Sequence, residues 1–167
     1  LTLREASGVE VLHFDWFISH YHVDHVCGPM ECVIRDSRFA IDTVVLPPHN
    51  ALPEDMPHGD SKYSPKIEAA LCECHPNVKR IEVHYHSEDP STILYNFGGA
   101  EIEILPPDTD WARDRELREL IANGYFDTDN IYDPKVPTSV GNTASVWYLI
   151  RYAGKKILFT GDSMKRT

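Results

Sequence analysis

No stretch of this 167-residue chain stays apolar for the roughly 18 to 20 residues that a membrane-spanning helix needs. It opens on Leu1-Thr2-Leu3, with no basic-then-apolar leader of the kind that directs secretion. We therefore expect no membrane partner and a cytoplasmic location. Basic side chains are scarce: 16 Lys+Arg stand against 26 Asp+Glu, a formal net charge of −10. An electrostatic grip on a nucleic-acid backbone requires the opposite sign, so nucleic acid is disfavoured as a bulk partner. The excess is concentrated in residues 101–135, which hold ten acidic and four basic residues. A polyanionic substrate would need a local positive centre there, such as a metal ion. Cysteine is sparse as well. Cys27, Cys32, Cys72 and Cys74 are too few for a disulfide framework, and Cys72-Glu73-Cys74 is not a CxxC spacing. The expectation is reduced, mostly buried thiols. Internal repeats and low-complexity tracts are also lacking.

What remains suits one domain over 1–167 with a sizeable core. Strand and helix signals alternate. Phe14–Ser19 is a short aromatic and branched run that reads as a buried strand. A helix should follow, with Val26, Met30, Val33 and Ile34 as its apolar stripe. Asp42–Leu46 reads as a second strand, stopped by Pro47-Pro48. Ser64-Pro65 then has the pattern of an N-cap with proline at the first helical position, ahead of a stripe of Ile67, Ala70, Leu71 and Cys74. Further strands are expected at Arg80–His84, Thr92–Tyr95 and Ala100–Leu105, with Gly98-Gly99 turning between the last two. A helix capped by Asp110 should carry Leu117, Leu120 and Ile121. Residues 47–63 and 125–141 read as loops. The chain closes on a hairpin of Ala144–Tyr152 and Lys156–Thr160 around Ala153-Gly154-Lys155.

The chemistry begins where the first strand ends. Ser19-His20-Tyr21-His22-Val23-Asp24-His25 gathers three imidazoles and a carboxylate, the donors that zinc and its neighbours prefer. In an extended loop His20 and His22 point the same way and can hold one ion. Asp24 and His25 lead into the next helix and can hold a second beside it. Two adjacent ions would clamp a bridging hydroxide and polarise a bond under attack.

Trp16-Phe17-Ile18-Ser19-His20-Tyr21-His22-Val23-Asp24-His25 resembles the H-x-H-x-D-H signature of the metallo-β-lactamase superfamily. Gly141-Asn142-Thr143-Ala144-Ser145-Val146, the final hairpin, and Ile157-Leu158-Phe159-Thr160-Gly161-Asp162-Ser163 resemble its second half. The branch resembled most is the competence-protein-like one, associated with DNA internalisation. The resemblance implies an α/β (α+β) four-layer αββα sandwich with metals at one edge of the sheets. It further implies that His20 and His22 bind one metal, that Asp24 and His25 bind a second, and that Asp162 bridges them. Asp24 would also orient and deprotonate the attacking water. Zinc is the expected cofactor, up to two ions, with manganese or iron as alternatives.

Three departures from the family pattern bear on this reading. Asn142 stands where many members carry a third histidine for the first metal, and is expected to contact substrate or a metal-bound water instead. A C-terminal histidine ligand does not follow Asp162 before Thr167, and the usual N-terminal strands do not precede the motif. The chain thus reads as a core fragment truncated at both termini, holding fewer than two ions. Its apolar strands, left uncovered, should either self-associate as a homo-oligomer through the exposed sheet or pack within a longer chain.

The run His84-Tyr85-His86-Ser87-Glu88-Asp89 mimics the first motif, but it lacks the final histidine and meets Pro90 at once, so it reads as solvated strand-end residues. His49 and His58 read as surface residues, and Trp111, Tyr125 and Phe126 as core. The resulting functional expectation is a metal-dependent hydrolase using a metal-bound hydroxide on an ester or phosphoester bond of a small molecule. The alternative is a non-catalytic metal-binding or interaction domain of the same fold.

Overall fold

The computed structural model describes residues 8, 10–47, 63–84, 93–106 and 145–163. Their order is β1 (Leu12–Phe17), α1 (Val23–Cys32), β2 (Phe39–Leu46), α2 (Tyr63–Cys74), β3 (Lys79–Glu82), β4 (Ile93–Phe97), β5 (Ala100–Leu105), β6 (Trp147–Tyr152) and β7 (Lys155–Phe159). The expected helix at Asp110, the loops and Asn142 lie outside the described residues, save for Pro47 and Tyr63 at the ends of the first loop. So do His49, His58, Trp111, Tyr125, Phe126 and Tyr85–Pro90.

β1, β2 and β3 form a parallel sheet in that order. Parallel neighbours need crossovers, and α1 and α2 supply them. β4, β5, β6 and β7 form an antiparallel meander. Its turns follow from local chemistry: Gly98 and Gly99 (φ +53° and +82°) and Ala153-Gly154 (φ +47° and +74°) take the left-handed conformations that two-residue hairpins require.

Period-two alternation assigns each face of the parallel sheet. Trp16, Val44 and Leu46 meet Val26, Ile67, Ala70 and Leu71 of the helices in one core. Their neighbours Phe17 and Val45 turn the other way, against Ile102, Ile104 and Tyr148 of the meander. The end of β2 is therefore covered on both faces, which is why Val44-Val45-Leu46 is uninterrupted by polar residues. Among the described residues the result is a mixed α and β arrangement in three layers: helices, parallel sheet, antiparallel sheet. No helix among them is long and apolar enough to cross a membrane.

β7 overhangs this stack. All five of its residues are exposed, with Ile157, Leu158 and Phe159 each about half accessible. The outer face of the meander is mixed: Arg151 pairs with Glu101 and Glu103 at one end, while Leu94 and Trp147 are exposed apolar groups.

Several boundaries differ from expectation. β1 starts at Leu12 and stops at Phe17, leaving Ser19 in the loop, and β2 starts three residues early, at Phe39. β3 is Lys79–Glu82, so His84 lies beyond it, and β4 is shifted to Ile93–Phe97. β6 begins only at Trp147. α1 stops at Cys32, short of the stripe that Val33 and Ile34 were to continue. Pro29 sits inside the helix, and its carbonyl accepts from both Val33 N (3.0 Å) and Ile34 N (2.8 Å), which closes the last turn. Ile34 is still fully buried, now from the following turn.

The thiols also correct the expectation. They are free, but Cys32 and Cys72 are exposed and Cys27 and Cys74 only partly covered. Cys72 follows Leu71 by one helical step of about 100°, which turns it off the buried face.

Candidate metal centre

The centre is built where β1 leaves its sheet. Ile18 N still pairs with Val45 O (3.1 Å), so the chain follows the β2 edge for one more residue before turning. Ser19 O then accepts from Val146 N (2.9 Å), and Ile18 O accepts from the buried hydroxyl of Tyr148. These two contacts tie the end of β1 to the start of β6. Tyr21 anchors the loop from the other side, with its ring buried and its hydroxyl donating to Pro47 O at 3.3 Å. Burial pushes that phenol up to about 12. His22 is the N-cap of α1, and Asp24 lies in its first turn, where the helix dipole favours a negative charge.

Held this way, the loop histidines face one another. His20 Nε2 lies 3.0 Å from His22 Nδ1, and the His20 and His25 rings stand 4.1 Å apart between centroids. Asp162, from the turn after β7, reaches the same point: its Oδ2 is 3.2 Å from His25 Nε2. Asp24 Oδ2 lies 3.7 Å from the same nitrogen. His20, His25 and Asp162 each offer a donor atom, all within 4.8 Å of one another.

A tetrahedral ion about 2.1 Å from each donor sets those donors about 3.4 Å apart. His25 and Asp162 stand 3.2 Å apart, near that value, and the whole set of His20, His25 and Asp162 lies within 4.8 Å, so a modest contraction brings it to an ion. Imidazole and carboxylate are also the donor set zinc favours, so the residues fit such an ion.

Two serines orient the first imidazole. Ser19 Oγ (3.1 Å) and Ser145 Oγ (3.2 Å) both flank His20 Nδ1. A hydroxyl donates to or accepts from a ring nitrogen, so these contacts fix the ring's orientation and leave Nε2 facing His22. Ser19 Oγ also approaches His25 Nδ1 at 3.4 Å, which leaves His25 Nε2 toward Asp162. His20 is almost fully buried. Burial first, then the neighbouring His25 and His22, push its imidazole down to about 3 against the opposing pull of Asp24. The ring is thus neutral at physiological pH, the form that coordinates metal.

Gly161 makes the approach of Asp162 feasible. Its φ is +55°, and a Cβ there would stand 2.9 Å from both Ser145 Oγ and Ser19 Cβ. Only glycine lets the turn close against both serines.

Of the residues singled out in the sequence, His20, His25 and Asp162 come together in one set, with His22 beside His20 and Asp24 beside His25 at its margin. The grouping differs in detail from two separate ligand pairs, because the tightest cluster takes His20 and His25 from both pairs together with Asp162. Asn142 lies outside the described residues. His84 is exposed beyond β3. Sequence reasoning missed the hydroxyls of Ser19 and Ser145. Ser19 borders the motif, but its role depends on ring orientation, and Ser145 meets His20 across 125 positions of sequence.

Comparison of the chain with protein-family models, with curated proteins and with solved structures returned no match.

Proposed function

We propose that this chain is a metal-dependent hydrolase of the metallo-β-lactamase kind, acting on an ester or phosphoester bond. The observation that carries the reading is the meeting of His20, His25 and Asp162, drawn from opposite ends of the chain, within 4.8 Å. What a bound zinc ion would supply is a hydroxide nucleophile at neutral pH and a pull on the electrons of the scissile bond. Manganese and iron suit the same donors. His20, His22, His25 and Asp162 bind; Ser19 and Ser145 orient; Asp24 has its carboxylate largely exposed and accepts the proton of the attacking water.

Two further readings accompany this one. The exposed Leu94 and Trp147 on the meander's outer face support a fourth, helical layer, completing an αββα sandwich. The uncovered edge strand β7 supports pairing with a second copy. Free thiols suit a reducing compartment such as the cytoplasm.

The test is hydrolysis of chromogenic ester and phosphodiester substrates before and after chelation. Activity should vanish with chelator and return with zinc. Asp24→Asn should lower it by about a hundredfold or more, the usual scale for a lost general base. Hydrolysis that survives chelation, or full activity in Asp24→Asn, would overturn the proposal.

A further inference from the structure

A cavity of about 380 Å³ opens directly beside the metal centre. Ser19, His25 and Gly161 form its polar end. Phe17, Ile102, Tyr148, Ile150 and Phe159 form the rest of its wall. Its position follows from the overhang of β7: Ile150 and Tyr148 of β6 pair with Ile157 and Phe159 on the same inward face. β1, the edge of the parallel sheet, contributes Phe17 to the wall of this space. Phe159 lines the cavity and is itself half exposed, so the space reaches the surface there.

Three properties limit what can occupy it. The volume is at the small end for ligand pockets, enough for a compact group and too little for a polymer segment. Among the described residues of its wall no lysine or arginine is found, so an anionic group would enter without a counter-charge. One end is shared with a candidate ligand, His25, so a group seated in the cavity sets its attached bond next to the centre.

We infer that the cavity receives the apolar acyl group of an uncharged carboxylic ester, whose carbonyl then lies against His25 and Asp162. This rests on the metal-dependent hydrolase reading and narrows it to substrates that carry an uncharged apolar group. Hydrolysis there adds the oxygen of water to the acyl carbon and breaks the acyl C–O bond. The water proton passes to the leaving alkoxide, so an acid and an alcohol depart and no redox partner is needed. Apolar burial supplies the selectivity, since each added methylene that leaves water gains about fourfold in affinity.

The experiment has two arms. In the zinc-free protein, titration with toluene should give saturable shifts of the Ile102 and Ile150 methyl resonances. Ile150→Trp, which fills the space, should abolish the Ile102 shift. In the zinc-loaded protein, alkyl hydroxamates from acetyl to hexanoyl should bind about fourfold tighter per methylene. Ile150→Trp should level that series, and Leu94→Ala on the outer face should leave it intact. Absence of a saturable toluene shift overturns the cavity as a binding site. Zinc-dependent hydroxamate binding that is flat with chain length overturns its link to the centre while leaving the metal reading standing. Toluene binding without zinc uptake overturns the metal reading, and with it the ester assignment, and leaves only an apolar site.

Discussion

Replacing Gly161 with alanine should damage stability and metal binding together, because one backbone position serves both. The residue sits at φ +55°, where a Cβ costs about 1 to 2 kcal/mol. That Cβ would also stand 2.9 Å from Ser19 Cβ, well inside the roughly 3.5 to 4.0 Å of ordinary carbon contact. Ser145 lies as close, so the turn must move away from both serines, and overpacking of this kind costs about 1 to 3 kcal/mol. We expect a total near 3 kcal/mol, which a domain of ordinary stability, about 5 to 15 kcal/mol, survives. Movement of the turn carries Asp162 from its place 3.2 Å from His25. If zinc affinity drops tenfold, zinc at 100 times the wild-type Kd stabilises the parent by about 2.7 kcal/mol and the variant by only about 1.4 kcal/mol. Urea denaturation with and without zinc measures both quantities. Gly161→Asn, which tolerates positive φ but still adds a Cβ, should recover the backbone strain and not the clash. A variant within 0.5 kcal/mol of the parent, on the scale of an ordinary surface substitution, with the same zinc increment, would refute the reasoning.

Ser145→Ala removes one of the two hydroxyls at His20 Nδ1 and should weaken zinc binding about tenfold, the lower range for loss of an orienting partner. Competition with a chromophoric chelator measures it. Tyr148→Phe leaves the Ile18 carbonyl without its buried donor and should cost about 1 to 3 kcal/mol in urea denaturation. Burial raises the folded-state phenol pKa above its unfolded value of 10.0, so this contribution is complete below pH 10 and declines as pH rises beyond it. The gap between parent and variant should therefore narrow above pH 10. Light scattering should find the chain associated through β7, and Leu158→Lys should shift it toward monomer; a monomeric parent would show that this edge is tolerated bare.

The sequence made the alternation of elements and the histidine cluster legible, for identifiable reasons. Ala100–Leu105 is the expected strand to the residue, because its alternating acidic and branched side chains carry a strict period of two. Of the expected stripe of Ile67, Ala70, Leu71 and Cys74, the first three lie on the buried face of α2, while Cys74 is only partly covered. The early end of α1 was hidden, since it depends on one carbonyl of Pro29 taking two amides. The motif announced His20, His22, Asp24 and His25 as neighbours because they are adjacent in the chain. It said nothing of the hydroxyls that flank their rings. Contacts such as Ser145 with His20 and Tyr148 with Ile18 arise only when the two sheets pack. The exposed thiols show the converse limit: cysteine is usually buried, but its helical phase decides the individual case.

The most direct test of the account is an equilibrium zinc titration of chelator-stripped protein, run on the parent, Asp162→Ala and His84→Ala. The account predicts that the parent takes up zinc saturably. Asp162→Ala should bind at least tenfold more weakly, a loss of about 1.4 kcal/mol. His84→Ala should match the parent. A parent that takes up no zinc, or equal losses in both variants, would contradict the assignment of the metal centre to His20, His22, His25 and Asp162.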